Sequence, residues 1–245
     1  MAPSTTSTRD GLVPAIKTRV SEEETEVGAV HSCTTRSRLR SSIDGMSCRL
    51  SLEHFRELLT TARAAGYDWA SFDRHPRRGD LFLRHDVRLS LEAALELARI
   101  EHELGVRATY LVMTESAFYN LDSHVGHYAQ RQLRQWGHAV GLHAVHPRAE
   151  LDDRFDKVVS WHNPEPSYER EPVFGAVNVA ADPYGEHVLS DRDGCPHEAV
   201  ATGEAEWLQI VVHPELWVYG SVGAMFAAKG EQWFDYLDAD GLELS

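Results

Sequence analysis

The chain has 245 residues, 42% of them hydrophobic and 25% charged, enough for one sizeable domain of ordinary soluble composition. A formal net charge of −14 argues against nucleic acid or anionic membrane as the main partner, because phosphate binding needs a basic surface. No apolar run approaches the roughly 20 residues that a membrane-spanning helix requires, and no signal-peptide pattern precedes Asp10.

The three cysteines, Cys33, Cys48 and Cys195, show no C-x-x-C spacing. They fit free thiols in a reducing cytoplasm better than a disulfide framework or a zinc-thiolate knot. Residues 1–47 are rich in Ser and Thr and carry the acidic run Glu22-Glu23-Glu24-Thr25-Glu26. Such a segment buries too little apolar surface to offset chain entropy, so a disordered N-terminal tail is expected there. A single folded domain is expected over 48–245.

The domain opens with a predicted helix over 51–65. Ser51 suits the N-cap, Leu52, Phe55, Leu58, Leu59 and Ala62 make one apolar face, and Gly66 ends it. The run Leu81-Phe82-Leu83-Arg84-His85-Asp86-Val87 reads as a buried parallel strand. Ser90 caps a helix that stops at Gly105, and 106–113 is a second, β-branched and aromatic strand. A helix over 124–136, ended by Gly137, leads to the strand Ala139-Val140-Gly141-Leu142-His143. This β-α-β-α-β alternation marks a parallel sheet or barrel with right-handed crossovers.

Beyond His146 the pattern thins. Residues 148–157 leave little room for a crossover helix before the strand Val158-Val159-Ser160-Trp161-His162. Residues 167–204 read as loop, with short runs at 173–179 and 187–189, and Trp207 to Val212 as another buried strand ending at His213. A closing helix is expected over 222–237.

Four apolar runs thus end in histidine, and parallel strands place chemistry at their carboxyl ends. Asp86, His143 and His146 are suitable ligands for zinc or a similar divalent ion, which would lower the pKa of bound water towards ~7. His85 would face away from Asp86 in an extended strand, but a terminal bulge would bring it into the site as a base. His213 is placed to protonate a leaving group. His162 is read as a substrate contact, with Trp161 beside it, or as the third ligand in place of His146. Against this stands the bland reading, in which single histidines among 14 are structural or incidental.

The runs Leu83-Arg84-His85-Asp86-Val87, Leu104-Gly105-Val106-Arg107-Ala108-Thr109-Tyr110 and Trp136-Gly137-His138-Ala139-Val140-Gly141-Leu142-His143 resemble the polysaccharide deacetylase (NodB-homology) family. The resemblance is to its divergent branch with a His-Asp-Val-Asp first motif. Ser160-Trp161-His162-Asn163-Pro164 and Val211-Val212-His213-Pro214-Glu215-Leu216-Trp217 extend it more loosely, over about residues 50–220.

The resemblance implies an α/β fold, a distorted, incomplete (β/α) barrel, and a metal-dependent deacetylase acting on the amide of an amino sugar or related small metabolite. It implies metal ligands at Asp86, His143 and His146, a base at His85 and an acid at His213. The chain departs from the family in three places. Arg88 stands where this branch has Asp, which suits a substrate carboxylate or phosphate better than a metal. The second-motif histidines are three apart rather than four, and the connection before Ser160 is short. An altered or inactive barrel that binds a carbohydrate or partner is therefore the competing expectation.

Overall fold

A computed structural model of the chain describes residues 48–146, 151–162 and 175–239, with side chains as far as residue 231. The tail expected over 1–47 lies outside the described residues. The elements run α1 (Leu52–Ala64), β1 (Asp68–Trp69), β2 (Asp80–Val87), α2 (Leu91–Glu103), β3 (Thr109–Val112), α3 (His124–Gln135), β4 (Ala139–Ala144) and β5 (Val158–Trp161). They continue as β6 (Val177–Asn178), β7 (Val188–Ser190), α4 (His197–Thr202), β8 (Leu208–Val212), α5 (Pro214–Tyr219) and α6 (Val222–Ala239).

Local chemistry explains where the first three helices begin. The hydroxyls of Ser51, Ser90 and Ser123 accept from the backbone N–H of His54, Ala93 and Gly126, satisfying donors that the first turn would otherwise leave open. Each of these helices is followed by a glycine with positive φ, at Gly66, Gly105 and Gly137.

The strands form one parallel sheet in the order β6-β5-β4-β3-β2-β8-β7, with β1 paired to the start of β2. The sheet curls into a half-barrel, which agrees with the expected α/β class and is compatible with an incomplete barrel. The late strand β8 inserts directly beside β2, with His85 opposite Val212. That pairing carries His213 to the same sheet end as Asp86.

Between β4 and β5 the described residues 151–157 form turns and no helix, so the expected loss of a crossover helix holds there. The strand expected over 106–113 is confined to Thr109–Val112. The short elements β1, α4 and α5 have too few residues for a hydrophobic period and were not foreseen. Among the described residues no helix is long and apolar enough to cross a membrane.

Strand alternation sorts the core into two layers. Leu81, Leu83 and Val87 of β2, Tyr110 and Val112 of β3, Val140 and Leu142 of β4 and Ile210 of β8 pack with α1, α2 and α3 in one large cluster. The inner face carries a second cluster without helix residues, including Phe72, Phe82, Leu111, Val158, Tyr184 and Trp207. Full burial of each such side chain stabilises by roughly 1.5–3 kcal/mol. Along β2, β5 and β8 the apolar inner residues Phe82, Val158 and Trp207 come first, and the polar Arg84, Asp86, Ser160 and Gln209 follow them towards the carboxyl ends.

Candidate functional site

The inner polar residues begin with a buried ion pair. Arg84 and Asp86 are two apart on β2 and share its inner face. The guanidinium donates from Nε to Asp86 Oδ1 and from Nη2 to Oδ2, each at 2.7 Å, and from Nη1 to Gln209 Oε1 at 3.3 Å. Arg84 is 6% exposed and Asp86 3%. Burial alone would raise the Asp86 pKa, but the Arg84 charge, with His143 and His213 adding to it, holds the carboxyl far below its usual range.

His143 lies on the same face, one residue before the end of β4 and two after Gly141. A Cβ on Gly141 would lie 2.4 Å from the Val158 carbonyl oxygen and 2.6 Å from Leu111 Cδ2, so only glycine lets β4, β3 and β5 meet at this point. His143 Nδ1 is 2.7 Å from Ser160 Oγ, and Ser160 Oγ lies 3.5 Å from Asp86 Oδ1. Its Nε2 is 3.2 Å from Nδ1 of the half-buried His162. Burial pushes the His143 pKa down to about 3, against the opposing pull of Asp86, so its imidazole is neutral at ordinary pH. Burial, followed by the charge of Arg88, also lowers His162.

His213, at the end of β8, is held most firmly. Asp191, just beyond β7, accepts its backbone N–H at 2.7 Å and its Nδ1–H at 2.6 Å, while Trp217 Nε1–H donates to the same carboxylate at 2.9 Å. The remaining nitrogen, Nε2, faces Arg88 Nη2 at 2.5 Å. A guanidinium has no acceptor, so Nε2 must be accepting, which fixes His213 as the neutral Nδ1–H tautomer. Arg88 is half-buried, and among the described residues its Nε has no partner. Glu215, 1% exposed and near the charges of His213 and Arg88, has a carboxyl without a hydrogen-bond partner among the described residues, and burial raises its pKa.

Three sequence expectations need correction. His85 does not reach the rim. No bulge intervenes, so it stays on the helix side of β2, fully buried, with Nε2 2.6 Å from Glu101 Oε1 and its ring stacked 4.2 Å from Tyr110. Tyr110 donates to the other Glu101 oxygen at 2.6 Å, making a buried structural network. Trp161 alternates out with it and packs in the helix-side core, not towards a substrate. His146 lies past the end of β4 with 69% of its side chain exposed, 4.0 Å from Glu115. The rim thus gathers Asp86, His143, His162, Arg88 and His213, and leaves out His85, His146 and Trp161.

The expected Asp86–His143–His146 metal centre is therefore not assembled. Replacing His146 by His162 supplies a facing pair of imidazole nitrogens, but Asp86 is committed to Arg84. Its nearest approach to His143 is 3.9 Å, at Nδ1, while His162 meets Nε2. The residues at the rim do not fit one three-donor ion. Among the described residues, the groups that could hold a metal ion cluster instead around His54.

Comparison with known proteins adds no identity. The chain matches no family model, no curated protein and no solved structure.

Arg84, Ser160, Asp191 and Glu215 had no role in the sequence reading. Arg84 and Ser160 were recoverable, since each stands two residues before a candidate and so shares its strand face. Asp191 sits in a stretch that reads as loop and offered no such signal.

Proposed function

We propose that the rim is the active site of a hydrolase that removes an acyl group, acetyl in the simplest case, from the amide nitrogen of an amino sugar or related small metabolite. The resemblance to the polysaccharide deacetylase family supplies the reaction class, and the curled parallel sheet is compatible with that family's incomplete barrel. The observation that carries the reading is the His213–Asp191 pair. A neutral imidazole, oriented through its backbone and ring by a buried carboxylate, turns its basic nitrogen to a guanidinium that donates to it.

In this mechanism Arg88 turns from His213 Nε2 to the acyl oxygen as substrate binds, and the nitrogen so freed takes a proton from an attacking water as the water oxygen bonds to the acyl carbon. The Arg88 guanidinium stabilises the developing oxyanion. The tetrahedral adduct then collapses, and the departing amine takes the same proton back from His213. Asp191 stabilises the transient imidazolium. Asp86 remains ionised and, with Ser160, His143 and His162, forms the opposite polar wall for substrate hydroxyls. No step is routed through zinc, because among the described residues the rim offers no third donor while Asp86 stays on Arg84.

A binding-only barrel is the second reading, favoured by the Arg84–Asp86 ion pair that occupies the expected metal ligand. Acetate release from a panel of N-acetylated amino sugars, run beside calorimetric binding of the same compounds, separates the two. Turnover supports the hydrolase. Binding without acetate supports the second reading and refutes the first.

A further inference from the structure

We propose that Cys48, His54 and Cys195 form a binding site for a soft divalent ion, zinc in the first instance. The site shares no residue with the rim. Cys48 lies ahead of α1, His54 in the first turn of α1, and Cys195 just before α4. One donor atom from each lies within 4.8 Å of the others, and Cys195 Sγ is 3.1 Å from His54 Nε2. Two sulfurs and an imidazole nitrogen are the ligand types that tetrahedral zinc takes, with bonds of about 2.3 Å to sulfur and about 2.0 Å to nitrogen.

A second observation points the same way. The other nitrogen of His54, Nδ1, is 3.0 Å from the Glu57 carboxylate. A carboxylate there fixes the proton on Nδ1 and turns the Nε2 lone pair to the cysteines, the support that metal-bound histidines typically have. The fourth position falls to water.

The site also bears on the rim. The His54 ring stacks on Trp217 at 5.9 Å, and Trp217 donates to Asp191, the residue that holds His213. An ion here would tie the start of the fold to the segment between β7 and α4 and stiffen the support of His213. The proposal stands whether or not the rim is catalytic.

The test uses the full chain, reduced, stripped with chelator and dialysed against zinc. The expected result is one zinc per chain by mass spectrometry, with two of the three thiols protected from a thiol reagent. Cobalt in place of zinc should give a thiolate charge-transfer band. Cys48→Ser and Cys195→Ser should each weaken zinc binding by about 100-fold or more, and His54→Gln should weaken it less. His143→Ala should leave it unchanged. Thiol protection in the wild type requires no variant to fold. Failure of the reduced protein to bind zinc would overturn the proposal, as would equal binding by both cysteine variants or a Cys48–Cys195 disulfide that takes no metal.

Discussion

Replacing Asp86 by alanine removes both carboxylate oxygens from Arg84 and leaves a cation that is 6% exposed. Among the described residues its other side-chain hydrogen bond is the 3.3 Å one to Gln209, which cannot neutralise it. Breaking a buried ion pair by removing one partner costs about 3–5 kcal/mol. For a domain of this size that corresponds to a melting temperature lower by about 8–15 °C. The uncharged pair Arg84→Met with Asp86→Leu removes the stranded charge as well, so it should recover most of the loss or exceed wild type. Urea unfolding followed by circular dichroism, on the wild type, both single variants and the double variant, measures each term. A cost for Asp86→Ala below about 1 kcal/mol, or a double variant as damaged as Asp86→Ala, would refute the view that these two side chains neutralise one another.

Stability should rise with pH between about 3 and 6.5 because of His143. Its folded pKa lies below the unfolded value, so the unfolded chain binds more protons in that window. The contribution, on the order of a few kcal/mol, is complete above the window and lost as pH falls through it, and His143→Gln should flatten the urea midpoint against pH. Gly141→Ala should destabilise by about 1–3 kcal/mol or more, because its methyl has no space against Val158 and Leu111; a melting curve checks this. His85→Leu should cost about 3 kcal/mol by depriving buried Glu101 of a partner, with kcat of the folded fraction unchanged. A large fall in kcat would instead put His85 back in the chemistry.

Much of the fold was legible because long amphipathic helices and buried strands have strong periods. The Ser51 and Ser90 caps and the glycines after α1, α2 and α3 mark boundaries that the structure keeps. Placing the site at the carboxyl ends of β2, β4, β5 and β8 followed from the same pattern, since a parallel strand exposes its end residues. The misplaced residues all lie where one position decides the face. His85 needed a bulge that β2 does not contain, and Trp161 alternates away from Ser160 and His162 for the same reason. His146 depended on the path of the chain after β4, which no residue pattern constrains. Asp191 and the Cys48–His54–Cys195 group were hidden because residues far apart in sequence meet only once β8 has inserted beside β2.

In the proposed acyl-group hydrolysis His213, held by Asp191, moves the proton. Acetate release measured with His213→Gln and Asp191→Asn against wild type, each with its fold verified by circular dichroism, tests it most directly. The account predicts turnover by the wild type and a loss of kcat/KM of about 10²–10⁴-fold in His213→Gln, with Asp191→Asn also reduced. Undiminished turnover by His213→Gln, or no acetate from the wild type on any acylated amino sugar, would contradict it.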